Sequence, residues 1–440
     1  MIPNQWYAIL LSGDVKKNKP HKTRRMGENL VVWRDIEGKV VCQQARCPHK
    51  GANLADGRVM GNSVECPYHG FRFDPSGQCV AVPCLGTEAR IPPSMRVKSY
   101  PVREHLGLIW MWWGEDREVL PDLPIPQEVA EKEKEGTYAT MRWTRPVHYT
   151  RYIESTLEFY HITFVHRGHW FNSIDYLFLY GTPAKLGLDG RKRYLAATKV
   201  ENNHLEVDGT TLRYSYDHLE EGTKANCNHY DVIFQFPHMT HVANKQFEVT
   251  AWFAPIDDHN TEFILRWYEF PRLRGMLRAE RLRRLFPAAG LYMEKWIQDM
   301  QDVRVIQGQQ PQITQRGASK FVAVDELNAK YVSMRAQLIA EANAGTAGDG
   351  KDSAGRDGRE LRAAVPGGTG ASTNGHTNGH RNGQSNGHSN GAVRAAANGS
   401  ADGSANGSNG TGRKVKRATA SGTPAEPDTA RGGADIAASA

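Results

Sequence analysis

Two short segments, Cys47-Pro48-His49 and Cys66-Pro67-Tyr68-His69, constrain this chain more than anything else in it. Each couples a thiol to an imidazole, and together they follow the pattern C-x-H-x16-C-x2-H. Thiolate and imidazole are the usual ligands of zinc and of some iron–sulfur centres. Neither segment is long enough to close a metal site alone. Any fold for this chain must therefore hold two loop tips side by side. The tips read as a matched pair, because Pro48 and Pro67 follow the cysteines directly and Gly51 and Gly70 each lie four residues on. Glycine at such places lets backbone N–H groups come close to sulfur.

Two metal centres use this donor set. One is a tetrahedral zinc with two Cys and two His. The other is a Rieske [2Fe–2S] cluster, in which two Cys hold one iron and two His the other. Zinc modules usually open on a Cys pair and close on a His pair. Here each segment is mixed, which favours iron–sulfur.

The sequence around these tips has the grain of a small β-domain. ENLVVWRDIEGKVVCQQ alternates apolar residues about an Asp-Ile-Glu-Gly turn and predicts a hairpin. FRFDPSGQCVAV repeats the pattern about Pro-Ser-Gly, and LGLIWMWWG predicts a buried strand. This domain is expected over residues 1–115, followed by a Pro- and Glu-rich linker over 116–136. Residues 137–342 predict an α+β domain. The segment RPVHYTRYIESTLEFYHITFVH, helical through its first half, comes first, antiparallel strands follow, and a helical stretch broken near Pro287 ends it. From 343 to 440 the chain is rich in Gly, Asn, Ser and Ala with NGH repeats, and it is expected to be a disordered tail.

A second set of candidate ligands lies in the α+β domain: Glu158-x-x-His161-x4-His166. Glu158 and His161 would share a helix face. His161 and His166 would diverge by about 140° on a regular helix, so they converge only if the helix ends or bulges between them. Packed structural histidines are the plain alternative. Downstream, Asp299 and Asp302 can supply a carboxylate, and two His with one carboxylate form the facial triad of non-heme Fe(II) oxygenases.

Taken together, these motifs make the chain resemble the alpha subunit, or oxygenase component, of the Rieske non-heme iron oxygenases over about residues 5–340. The resemblance implies an all-β Rieske domain and a helix-grip-like catalytic domain. It implies that Cys47, His49, Cys66 and His69 bind the cluster, and that His161, His166 and a late Asp bind a mononuclear Fe(II). Asp302 precedes VIQGQQ in the register such proteins show, so it is preferred to Asp299. Glu158 stands where the family often has Asp, a residue that links a cluster histidine of one subunit to an iron histidine of the next; Ser155 replaces a frequent Asn. Ala52 and Tyr68 occupy the places where high-potential Rieske proteins carry extra cysteines, so their disulfide is not expected. Cys42, Cys79, Cys84 and Cys227 are then packed thiols.

The implied activity is oxygenation, by hydroxylation or demethylation, of an aromatic or bulky apolar small molecule with O₂. A Rieske electron carrier without oxygenase activity is the alternative. No G-x-G-x-x-G fingerprint joins a strand to a helix, so electrons are expected from a separate NAD(P)H-dependent reductase, with or without a ferredoxin. The family's path between subunits implies a homotrimer. The net charge of +7 comes without a basic stripe interleaved with aromatics, which argues against nucleic acid. No apolar run is long enough for a membrane segment, and no secretory signal is evident, so a cytoplasmic protein is expected. Phe159, Phe164, Trp170 and Phe236 are candidate walls of a substrate pocket.

Overall fold

The computed structural model describes residues 1–88, 90–135, 137–158, 160–165, 198–220, 227–245, 247–268 and 280–348. Three of the residues singled out above, His166, Phe159 and Trp170, lie outside the described residues, as does the NGH-rich stretch.

Eleven strands make up the N-terminal part: β1 Gln5–Leu11, β2 His21–Arg25, β3 Glu28–Arg34, β4 Val40–Gln44, β5 Arg58–Val59, β6 Val64–Glu65, β7 Arg72–Phe73, β8 Cys79–Ala81, β9 Ser99–Tyr100, β10 Val102–His105 and β11 Leu108–Trp113. They form three sheets, ordered β1-β11-β10, β2-β3-β4-β9 and β5-β6-β7-β8. The predicted hairpin is β3 with β4, Leu30 opposite Gln44 and Arg34 opposite Val40. Strand periodicity explains why these segments look almost continuously apolar. Val31 and Trp33 point into the core beneath the metal-binding loops, while Leu30 and Val32 point into a second core with Tyr7, Ile9, Ile109 and Met111. Successive side chains leave opposite faces, and both faces are covered.

The remainder is built on strands β12 Tyr138–Arg145, β13 Thr198–Asp208, β14 Thr211–Glu220, β15 Cys227–Gln235, β16 Met239–Ala243, β17 Glu248–Pro255 and β18 Thr261–Tyr268. They form one antiparallel sheet in the order β12-β18-β17-β16-β15-β14-β13, a meander extended at its last strand by its first. The helices are α1 Gln127–Glu135, α2 Tyr149–Thr156, α3 Ile162–Val165, α4 Glu280–Met300, α5 Asp302–Gly308 and α6 Glu326–Gly348. The sheet's two faces have different partners. Ala251, Phe253, Phe263 and Leu265 pack with residues of α2, α4 and α6. Their neighbours Trp252 and Ile264 face the other way, into a core shared with Trp6, Ala8, Trp110 and Trp112.

That shared core joins the two domains, and polar contacts reinforce it. The Ala8 N–H donates to His238 Nε2 at 2.9 Å. Met26 N–H donates to Pro255 O at 3.0 Å and Gly27 N–H to Ile256 O at 2.8 Å. The buried Arg25 pairs with Glu262, which also holds Arg142 at 2.6 Å.

Several expectations need correcting. The presumed linker carries α1, whose Glu133 meets Arg266 at 2.5 Å and Tyr268 at 2.6 Å. Strand β12 was not anticipated. Helix α2 stops at Thr156, before Glu158 and His161 rather than beyond them. The Ser155 and Thr156 hydroxyls donate to the carbonyls of Tyr152 and Ile153 at 2.7 and 2.9 Å, competing with the helical ladder there. Pro287 does not break α4, which continues through it to Met300. Burial of Leu291 and Ile297 keeps the helix in line, and Gly290 lets it sit against Trp267, whose ring lies 3.0 Å from where a Cβ would be. The break falls instead at Gln301, with φ −122° and ψ −64°.

Candidate iron centres

The first centre sits on two loops with the same hydrogen-bond plan. Cys47 N–H donates to Ala52 O at 2.9 Å, and Gly51 N–H returns to Cys47 O at 2.9 Å. Cys66 N–H donates to Phe71 O at 2.7 Å, and Gly70 N–H returns to Cys66 O at 3.1 Å. Each loop closes on itself, and each needs a left-handed glycine: φ is 76° at Gly51 and 72° at Gly70. The first loop follows β4, and the second is the turn between β6 and β7.

The donors divide by depth. The Cys47 and Cys66 side chains are buried and belong to the core with Trp33, Leu54, Val64 and Phe73. His49 is exposed and His69 half-buried, their ring centroids 4.7 Å apart. Phe71 stacks on His49 at 4.6 Å, and Tyr68 on His69 at 3.7 Å. Burial pushes the Cys47 thiol up to about 11, against the backbone N–H groups of His49 and Lys50, which favour its thiolate. Among the described residues, no three His, Cys, Asp or Glu side chains converge on one point as the ligands of a single ion do. A thiol end and an imidazole end suit a cluster of two differently ligated irons better than one zinc. The donor set fits the cluster. Ala52 and Tyr68 stand in the loops, and Cys42, Cys47, Cys66, Cys79 and Cys84 form no disulfide. Cys42 and Cys79 are packed, whereas Cys84, expected to be packed, is exposed in the turn Pro83–Leu85.

The second centre is assembled from two helix breaks. After α2 ends, Glu158 accepts from His161 twice: Oε1 lies 2.8 Å from Nδ1, and Oε2 takes the backbone N–H at 3.1 Å. That fixes the ring, whose Nε2 faces Asp302 Oδ1 at 3.6 Å. Asp302 is buried and opens α5, immediately after the break at Gln301. Burial works against a charged His161 ring, yet Glu158 and Asp302 raise its pKa to about 9. A half-enclosed spot where carboxylates outweigh desolvation is one that attracts a cation, and these residues fit a mononuclear iron. Asp299 is engaged elsewhere, 2.5 Å from Arg145 and 2.8 Å from Lys295.

His161 and Asp302 separate two spaces. On one side lies a cavity of about 120 Å³ walled by Val242, Phe247, Ala251, Leu265, Trp267 and Ile297. On the other is a polar cleft of about 260 Å³ lined by Glu158, Arg151, Glu154, Lys320 and Asp325. Ser155 borders both. Two of the expected walls are elsewhere: Phe236 is core against Phe234 and Tyr331, and Phe164 is exposed. Sequence reasoning missed Tyr152, Glu294 and Gln298, three of the polar residues that line the cavity. The spacing 294, 298, 302 marks a helical row leading to Asp302 and could have revealed the last two.

Two family models match the chain: the Rieske [2Fe-2S] domain over residues 5–101, and the ring hydroxylating alpha subunit (catalytic domain) over 152–336. Protein TIC 55 of Pisum sativum chloroplasts is 37% identical over 108 residues, 24% of this chain and 20% of that protein. The 3-chlorobenzoate-3,4-dioxygenase oxygenase subunit of Comamonas testosteroni is 33% identical, covering 38% of each chain. The 3-ketosteroid-9-alpha-monooxygenase oxygenase component of Rhodococcus rhodochrous is 31% identical over 37% of this chain and 43% of its own. The chain thus spans less than half the length of these curated relatives. Among solved structures, Pseudomonas putida CBB5 NdmB aligns with a TM-score of 0.57 at 18% identity, covering 78% of this chain and 92% of that one. Among the described residues, no helix is long and apolar enough to cross a membrane.

Proposed function

We propose, for a chain that belongs to the Rieske non-heme iron oxygenase alpha subunits, that it is the oxygenase component of a multi-component enzyme. It uses O₂ and electrons from a separate NAD(P)H-dependent reductase, with or without a ferredoxin, to hydroxylate or demethylate an aromatic or bulky apolar small molecule. In this proposal Cys47, His49, Cys66 and His69 hold the [2Fe–2S] cluster. His161, His166 and Asp302 hold the mononuclear iron, and Glu158 is the catalytic carboxylate behind it.

The observation that carries the reading is the pair His161–Asp302, set between an apolar cavity and a polar cleft. The cluster supplies single electrons, and the mononuclear iron supplies O₂ activation. The chain's own residues do the rest. Glu158 hydrogen-bonds Nδ1 of His161 and fixes the ring so that Nε2 faces Asp302 and would be the metal-binding nitrogen. The apolar wall of the cavity takes up the substrate and keeps water from the reacting carbon. The relatives named for a chlorinated aromatic acid and a ketosteroid support a ring-bearing substrate.

The polar cleft is lined by Glu158, which supports electron entry there from a neighbouring copy, in the homotrimer that the family resemblance implies. A cytoplasmic setting is part of the proposal, and, apart from the cluster ligands, Cys42, Cys79 and Cys84 form no disulfide. Metal analysis tests the core of the proposal. About three irons and two sulfides per chain are expected, falling to about two irons in His161→Ala with the sulfide unchanged. Two irons in the unsubstituted chain, with no O₂ uptake, would leave an electron carrier.

A further inference from the structure

We infer that the outer face of α4 is a membrane-docking surface that settles on an anionic lipid bilayer. This goes beyond the oxygenase reading and does not depend on it. A helix that buries one face normally turns charge to water on the other. Helix α4 departs from that pattern. Its inner face buries Leu291 and Ile297, and it packs on β12 and β18. Its outer face leaves Leu285 61%, Tyr292 69% and Met300 48% exposed, with Trp296 partly exposed in the same row. Offsets of seven, eleven and fifteen residues from Leu285 keep Tyr292, Trp296 and Met300 on one face, within an arc of about 80°. Phe286, 44% exposed, borders the row. A contiguous exposed apolar patch marks an interaction site.

Charge identifies the occupant. The turn of α4 before Leu285 carries Arg281, Arg283 and Arg284 against one acid, Glu280. Of the helix's other carboxylates, Asp299 is held by Arg145 and Lys295, and Glu294 lines the cavity. Arginines beside a helix face of Leu, Phe and Trp make the composition of helices that lie in the interface of an anionic membrane. A protein partner fits the surroundings less well. An electron donor has to reach the cluster loops, which belong to the other domain. A neighbouring copy is proposed to approach the polar cleft, and among the described residues none of α4 lines that cleft. Met293 and Ile297 do line the apolar cavity, so docking sets that cavity beside lipid, where apolar compounds collect.

Vesicle flotation with the full-length metallated protein tests this, on phosphatidylcholine alone and on phosphatidylcholine mixed with phosphatidylglycerol. Binding to the mixed vesicles is expected, weakening as salt rises, with binding to phosphatidylcholine alone at least about tenfold weaker. Two double variants divide the contributions. Leu285→Ser with Tyr292→Ser removes apolar contact, and Arg281→Gln with Arg284→Gln removes charge. Each, checked for an unchanged visible spectrum and melting temperature, is expected to lower the affinity for mixed vesicles by about tenfold or more. No binding to mixed vesicles overturns the inference. So does binding that survives either pair of substitutions, which would place it elsewhere, as in RKVKR at 413–417. A changed oligomer size in the Leu285→Ser, Tyr292→Ser protein, read by light scattering, overturns it in favour of a contact between copies. Vesicle binding retained there with a raised apparent KM for the reductase overturns it in favour of a protein partner. If flotation behaves as expected while no substrate stimulates O₂ uptake, the oxygenase reading fails and the docking surface stands.

Discussion

The two candidate metal centres are built in opposite ways. The cluster loops are local: each closes through hydrogen bonds between a cysteine and residues four and five places on, and both rest on one small core. The mononuclear site is non-local. His161 and Asp302 are far apart in the chain, and they meet only because a helix stops after Thr156 and another breaks at Gln301. A site made by short loops depends on backbone conformation. A site made by helix ends depends on everything that holds the helices to the sheet.

The largest expected contrast comes from removing one donor at each centre. Cys66→Ala should abolish both the visible absorption of the cluster and turnover. Asp302→Ala should leave that absorption intact while turnover falls by more than about a hundredfold, the upper range for loss of outer-shell partners. Asp299→Ala should change turnover little, since it breaks a partly exposed pairing. Equal loss of absorption in the Cys66 and Asp302 variants would show the two centres to be one cooperative unit.

Acid should separate the regions next. His238 sits in the turn between β15 and β16 at the domain joint, and burial lowers its pKa from 6.5 to about 3. A base whose folded pKa is depressed contributes nothing unfavourable above pH 6.5. As the pH falls below that value the unfolded chain takes the proton first, and stability is lost towards pH 3. By pH 5 the loss from this residue is roughly 2 kcal/mol. Urea melts at pH 7 and pH 5 should show it, with the catalytic domain loosening before the cluster's visible band fades. His238→Gln, which has no such proton to take, should reduce the difference by about that amount and leave the share owed to His148, His218 and His241, whose pKa values burial also lowers.

The smallest effect compares the matched loops with each other. Alanine at Gly51 or Gly70 must adopt a left-handed conformation, at about 1 kcal/mol each. At Gly70 the new Cβ also meets Pro83 Cγ at 3.2 Å, whereas at Gly51 the neighbour is the movable Arg46 side chain at 3.6 Å. Gly70→Ala should therefore shed the cluster at a lower temperature than Gly51→Ala, read from thermal bleaching. Equal losses would mean that backbone strain alone governs both tips.

This contrast also explains what the sequence disclosed. The hooks, the β3–β4 hairpin and the buried β11 were legible because residue type, spacing and turn chemistry all act within a few positions. The position of Glu158 and His161 past the end of α2 was not. It turns on Ser155 and Thr156 spending their hydroxyls on the preceding turn, which the sequence allows but does not require. Pro287 misled for the complementary reason: tertiary burial of Leu291 and Ile297 outweighed a local breaker. The cavity walls were misjudged because position across the sheet, rather than aromatic content, decides: Phe234, Phe236, Phe263 and Trp267 share one core, but of these four it is Phe263 and Trp267, on β18, that line the cavity with Asp302.

The way the large sheet closes has a consequence for synthesis. Its first strand, β12, pairs with its last, β18, so residue 145 must wait for residue 261 before its edge is covered. On the ribosome the two cysteine–histidine tips could already be shaped, even loaded, while that edge stands open to stray pairing. The nascent protein would thus carry its electron-transfer half before it owns a place to send the electrons.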